Sequence, residues 1–470
     1  MIFSSIFFLC VFLPVTLAAY YLVPRRFKNA LLLLASLVFY AWGEPVYVLL
    51  MLFSIVFNYA AGLQMGMLKA LKDPKRRRAV FIFTVAVNLA VLGFFKYCGF
   101  LLGSVNAVFG IHIPVRDIAL PIGISFYTFQ ILSYIIDVYR ERVPVQKNFL
   151  DFGAYIAMFP QLIAGPIVRY EDIRKQLRDR KITILKAADG AVWFVKGLGK
   201  KVLLANNIGM LFDALAAVPA GERSVLSTWL MILAYAFQIY FDFSGYSDMA
   251  VGLGKMLGFE FVQNFRYPYL ATSATEFWRR WHISLGTWFR EYVYIPMGGN
   301  RGGTVKYIRN ILVVWFLTGL WHGADWTFVI WGLFFGVILL LEKLVLSTWM
   351  RKWPAVLGHI YALLVINLSW VIFSAGDINR MWQNFLAGLG GLQNPFIDST
   401  FLYYLGSNLL LIIVCIVCCT PLVSKGIAWL CKRWKKKGQW IGALLYCLIL
   451  TACVAYLVNA TYNPFLYFRF

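Results

Sequence analysis

The sequence predicts an all-α, polytopic membrane protein forming a single domain over residues 1–470, and three observations carry that prediction. The chain is 61% hydrophobic and 14% charged, whereas soluble chains average about 45–50% apolar and about 25% charged residues. Its apolar residues gather in long runs, and division into spans of about 20 residues gives roughly ten to twelve crossings. The basic residues fall in short clusters between those runs, the pattern of the positive-inside rule. The net charge of +23 therefore marks loops, not a nucleic-acid surface, which would need a basic face on a polar folded domain.

The elements follow in chain order. Residues 2–22 lack a basic leader and a small-residue cleavage site, so they read as a first membrane helix and not a removed signal peptide. Residues 29–42 and 46–66 turn at Gly43-Glu44-Pro45 between two basic loops, one at Arg25 to Lys28 and one at Lys69 to Arg78. Both loops face the cytoplasm by charge, which puts the N-terminus outside. Residues 79–97 lead to a weakly charged outer loop, and 118–139 return to Arg140-Glu141-Arg142. Residues 149–165 end in Ala164-Gly165-Pro166 before a basic stretch, which predicts a segment that enters and turns back, its freed backbone satisfied by protein or by a wet cavity. Apolar runs at 190–212 and 226–246 follow, and 264–309 is too charged to span. Residues 307–321 go out, 326–342 return, 356–375 go out and 399–424 come back to the inner cluster Lys432 to Lys437. A last helix, 440–460, carries the C-terminus outside.

Polar residues tolerated among apolar ones mark the candidate chemistry, because an ionisable group at a helix centre costs at least about 2.5–3.5 kcal/mol. His322 lies between two apolar runs in Thr318 to Trp326, with Gly319 and Gly323 allowing a bend and close approach. Asp325, three residues on, would orient the ring on a helical turn. An imidazole in a dry site suits general-base work; the alternative is a histidine that only packs helices. His282 sits in an amphipathic stretch with Arg279, Arg280 and Arg290 among tryptophans. That stretch is either an anchor at the inner interface or a site mouth whose arginines bind the phosphates of an anionic donor. His112 and His359 read as structural. Asp242, Ser244 and Asp248 in the run Tyr240 to Asp248, and Gln130 in Ser125 to Gln130, either line an interior passage or bond helix to helix. The eight cysteines show no paired framework and no metal-ligand set. No phosphate-binding or dinucleotide glycine motif is present, so nucleotide hydrolysis and hydride transfer have no support.

Taken together, the runs Glu276 to Arg301, Trp321 to Asp325, Tyr240 to Asp248 and Gln161 to Pro166 resemble the membrane-bound O-acyltransferase (MBOAT) family, in the same order and over essentially the whole chain. The branch they look like is that of the alginate O-acetylation membrane proteins, related to the D-alanyl transferases of teichoic acid. The resemblance implies a ring of about 11 transmembrane helices around a central funnel with re-entrant segments, lined here by Asp242, Ser244, Asp248 and Gln130. His322 matches the family's invariant histidine and His282 its second, upstream one. The run Phe465 to Phe470 is similar to an FxYxxF tail whose tyrosine, here Tyr467, is proposed to carry the acyl group; an aromatic anchor at the outer interface is the alternative.

The activity so implied moves an acetyl group from acetyl-CoA, with no permanently bound cofactor and no metal, to a cell-envelope or exported polysaccharide. An extracytoplasmic SGNH-type O-acetyltransferase would complete the transfer. The expected location is the bacterial inner membrane, with both termini extracytoplasmic and the lipid bilayer as surroundings. D-alanyl transfer from a carrier protein to teichoic acid, and a non-catalytic transporter of acyl groups, are the competing readings.

Overall fold

The computed structural model describes residues 1–115, 118–459, 462–464 and 466, and every regular element among them is a helix. Seven of these helices are long and apolar enough to cross a membrane: Tyr47–Ala70, Pro74–Phe109, Val225–Met256, Trp326–Met350, Ala355–Ser374, Ser399–Cys418 and Leu422–Asn459. A polytopic membrane protein is what such a set makes. The helices differ in what they face. The apolar window of Val225–Met256 is 83% buried inside the protein, against 11% for Ser399–Cys418, so the first is an interior helix and the second presents its side chains outward.

Several boundaries depart from the sequence expectation. The basic residues Lys75 to Arg78, expected in a loop, form the first turn of Pro74–Phe109. Asp73 caps that helix by accepting from the Arg76 amide at 3.0 Å, and Pro74 occupies the first position, where its missing N–H costs nothing. The expected run 399–424 breaks after Cys418, just before Pro421. The expected inner loop at Lys432 to Lys437 is instead a sharp reversal within Leu422–Asn459, centred on Lys435 with φ 46° and ψ −123°.

The chain divides into two compact units, Met1–Phe194 with Ser247–Val262, and Val195–Tyr246 with Gln263–Phe470. In the first, Phe3, Phe8, Phe12, Phe39 and Phe159 form an aromatic core with ring centroids 5.0 to 6.5 Å apart. Asn58 and Asn88 exchange amide hydrogen bonds of 3.1 and 2.7 Å between Tyr47–Ala70 and Pro74–Phe109, a form of glue worth about 0.6 kcal/mol on average in a bilayer. The 149–165 segment is a nine-residue helix, Phe149–Ala157, and a short turn, Phe159–Leu162. Nine residues rise only about 14 Å, half the thickness of a hydrocarbon core. The break at Met158 is satisfied by protein, since Phe159 N donates to Ser36 Oγ at 3.0 Å and Gln161 Nε2 to the Tyr155 carbonyl at 2.6 Å. Gln130, fully buried on Ile124–Tyr139, has no hydrogen-bond partner for either side-chain atom among the described residues.

In the second unit, Thr304–His322 and Trp326–Leu341 form a tight hairpin. Gly319 and Gly332 are the contact: a Cβ on Gly319 would overlap the Phe328 carbonyl, and one on Gly332 would overlap the Trp315 carbonyl. Without a hydrophobic force between helices in lipid, such backbone approach supplies the packing energy.

Candidate active site

His322 is the last residue of Thr304–His322, 5% exposed, at the break where Gly323 leaves helical geometry. Its ring stands edge-on to Trp331 at 5.0 Å, Trp321 at 5.1 Å and Phe373 at 5.4 Å. The expected helical turn onward to Asp325 is absent, because the backbone is extended at Gly323 and again at Asp325. Asp325 instead caps Trp326–Leu341, its Oδ1 accepting from Thr327 N at 2.8 Å and Thr327 Oγ1 at 2.7 Å. Two residues of distance in sequence thus separate the end of one helix from the cap of the next.

The single amphipathic helix expected across residues 276–290 is two short ones, Ala274–Arg280 and Ile283–Phe289. His282 sits at the break in the left-handed region, φ 46° and ψ 52°, a conformation a β-carbon disfavours. Asn264 pins it: its carbonyl accepts from Ile283 N and its side chain from Ser284 N and Oγ, all at 3.0 Å. Strain held this way at a buried polar residue is a signature of functional positions. His282 is 1% exposed, lies 4.7 Å from the Phe243 ring and 5.7 Å from Trp321, and neither ring nitrogen has a hydrogen-bond partner among the described residues. Burial pushes its imidazole down to about 3, so the ring is neutral at physiological pH. The two histidines therefore flank one indole, Trp321.

A cavity of about 240 Å³ opens beside His282, walled by Trp278, Trp281, Leu285, Phe289 and Trp315, and it reaches Thr318, one helical turn before His322. A second cavity of about 790 Å³ is basic, lined by Arg290, Arg301, Lys306 and Arg309 around the glycines at 298, 299 and 302. Arg290 and Tyr294 line both. Of the three arginines expected to hold a donor, Arg290 is on this path. Arg280 is bound to Glu276 at 2.5 Å, and Arg279 is exposed and lines neither cavity. Lys306 and Arg309 were not among the sequence candidates; the signal for them was the glycine-rich run Gly298 to Gly303 with basic residues on both sides.

The four residues expected to line a passage or to bond helix to helix are all buried. Asp242 forms a buried ion pair with Lys201 at 2.7 Å, and Ser244 Oγ lies 3.4 Å from Lys200 Nζ. Asp248 and Gln130 are buried in the first unit. Tyr467 lies outside the described residues.

Residues 139–382 match the sequence model of MBOAT, the membrane-bound O-acyltransferase family. A probable alginate O-acetylase of Azotobacter vinelandii is 46% identical over 82% of this chain and 78% of its own. A peptidoglycan O-acetyltransferase of Helicobacter pylori is 33% identical over 100% of this chain and 98% of its own. A teichoic acid D-alanyltransferase of Streptococcus thermophilus is 28% identical over 56% of this chain and 69% of its own.

Proposed function

Because the chain belongs to the membrane-bound O-acyltransferase family and is an acyltransferase, we propose that it takes an acetyl group from acetyl-CoA at the cytoplasmic face and delivers it across the membrane for O-acetylation of a cell-envelope or exported polysaccharide. The observation that carries this reading is a pair of cavities that share Arg290 and Tyr294, one of them lined by the buried His282 and by Thr318, four residues before His322. The basic, glycine-rich cavity suits the phosphates of a nucleotide-bearing thioester, and the narrow aromatic one suits an apolar arm leading its thioester to His282.

In the proposed chemistry, His322 takes the proton of an acceptor hydroxyl, whose oxygen attacks the thioester carbonyl. The C–S bond breaks and the proton passes to the departing thiolate. His282, neutral and with neither nitrogen hydrogen-bonded among the described residues, donates a hydrogen bond to the carbonyl oxygen as it gains charge; a ring of such low basicity suits this role better than that of a base. The acyl group then leaves on Tyr467 or directly on an extracytoplasmic SGNH-type partner. The reading takes the chain as one MBOAT domain, a ring of about 11 helices around a funnel, in the bacterial inner membrane. Names of the relatives at 46% and 33% identity support acetyl over D-alanyl.

The test follows labelled acetyl from acetyl-CoA into envelope polysaccharide in cells carrying the chain or its His322→Gln variant. Loss of one proton-transferring group removes about 10²–10⁴-fold of rate, so label should fall at least about a hundredfold. Undiminished label in the variant would leave a passive conduit as the answer. Label entering from D-alanine but not from acetyl would overturn the donor assignment.

A further inference from the structure

The Lys201–Asp242 pair is buried to 3% side-chain exposure on both partners, and the mechanism above makes no use of it. Taking two charges out of water is repaid only when their remaining protons and lone pairs also find partners. Here those partners come from one short segment. Lys201 Nζ donates to the Pro464 carbonyl, and Asp242 Oδ2 accepts from Leu466 N at 2.9 Å. The pair thus offers one cationic donor and one anionic acceptor to a carbonyl and an N–H two residues apart. Leu466 is 4% exposed there.

The contacts continue along one helix face. Asn206 Nδ2 donates to Asn463 Oδ1 at 3.2 Å, and Tyr462 Oη donates to Asp213 Oδ2 at 2.5 Å. A Cβ on Gly209 would overlap the Gln238 side-chain amide and lie 3.1 Å from Tyr462 Oη, so the small residue there leaves room for both. Positions 206, 209 and 213 share a face of Asn206–Ala216 by ordinary α-helical spacing. Lys201 is five residues before Asn206, a spacing that falls on the same face only in a π-helix. The segment Lys200–Ala205 is one. The extra residue in that turn brings the buried lysine into line with the rest of the track.

We propose that Lys201, Asn206, Asp213 and Asp242 form a docking track for residues 462–464 and 466, Asn206 and Asp213 holding side chains, and that the Lys201–Asp242 pair acts as a clamp on the main chain at Pro464 and Leu466. The proposal rests on the reading above in one respect, that what the clamp positions is Tyr467, the next residue along and the candidate acyl carrier. Lys201 and Asp242 are then positioning residues, and the clamp reads backbone polarity, carbonyl at 464 before N–H at 466.

The experiment is hydrogen–deuterium exchange with mass spectrometry on the full chain in detergent micelles. The Leu466 amide, whose N–H Asp242 accepts, should exchange at least tenfold slower than in a free peptide spanning 462–466. Asp242→Asn should raise that rate at least tenfold while exchange over 225–256 stays unchanged. The exchanged pair, Lys201→Asp with Asp242→Lys, is the control against a purely structural role: it restores an ion pair but reverses donor and acceptor, so protection of the Leu466 amide should stay lost. Should Asp242→Asn not fold, Tyr462→Phe loosens the other end and should raise the rate a fewfold. Free-peptide exchange in the unaltered chain, or full protection in the exchanged pair, overturns the proposal. Acyl transfer does not enter this measurement, so its outcome is separate from that of the O-acetylation reading.

Discussion

His282 and His322 touch the same indole, yet their backbones reach it in opposite ways. His322 ends a regular helix, whereas His282 is held in the left-handed region by three hydrogen bonds that its neighbours Ile283 and Ser284 donate to Asn264. A buried, unpartnered imidazole has a thermodynamic consequence. His282 lies outside the membrane-spanning helices and its folded-state value is depressed from 6.5 to about 3. Between those limits an unfolded chain binds a proton at this residue and the folded one does not, so stability is full above 6.5 and falls as pH drops toward 3. Each pH unit in that window costs up to about 1.4 kcal/mol. Thermal unfolding in micelles at pH 7 and pH 5 should show the midpoint dropping with acid, and His282→Gln should flatten the dependence. Equal slopes for both proteins would mean the ring is hydrated.

At the scale of elements, the hairpin that delivers His322 depends on two glycines. Gly332→Leu drives a side chain into the Trp315 carbonyl, and even Gly332→Ala should destabilise by about 1–3 kcal/mol as the helices part. Gly286 is the internal control: nothing lies within 4 Å of its would-be Cβ on Ile283–Phe289, so Gly286→Ala should be neutral or stabilising by about 0.5–1 kcal/mol. Fluorescence-detected size-exclusion after heating would rank the two. Such contacts also explain what could be read from the residues alone. Long apolar runs, the bend at Gly319 to Gly323 and the break before Gly165-Pro166 are local patterns, and the helices follow them. The split at His282 is not local, since it is made by Asn264, and neither is the fate of Asp242, decided by Lys201. The basic cavity was hidden for the same reason: glycines and cations spread from 290 to 309 converge only when the chain turns.

At the scale of the whole molecule, charge asymmetry sets orientation. The clusters at Lys69 to Arg78 and Lys432 to Lys437 together carry +10 of the net +23; the first joins Tyr47–Ala70 to Pro74–Phe109, and the second stands at the Lys435 reversal within Leu422–Asn459. If both face the cytoplasm, as the positive-inside rule requires, the helix that leaves the Lys435 reversal determines where the chain's last residues lie. From 436 to 459 it rises roughly 35 Å at the helical 1.5 Å per residue, one bilayer core and no more. On that condition the single crossing places residues 462–464 and 466 toward the extracytoplasmic end, the side on which the proposed acyl relay needs them. Single cysteines placed in a cysteine-free chain at Lys72, Lys436 and Gly110 would report it. A membrane-impermeant maleimide added to intact cells should label Gly110→Cys and spare the other two, and lysis should expose all three. Labelling of Lys436→Cys from outside would invert the final helix and take the docked segment, and any carrier role for Tyr467, to the wrong side of the membrane.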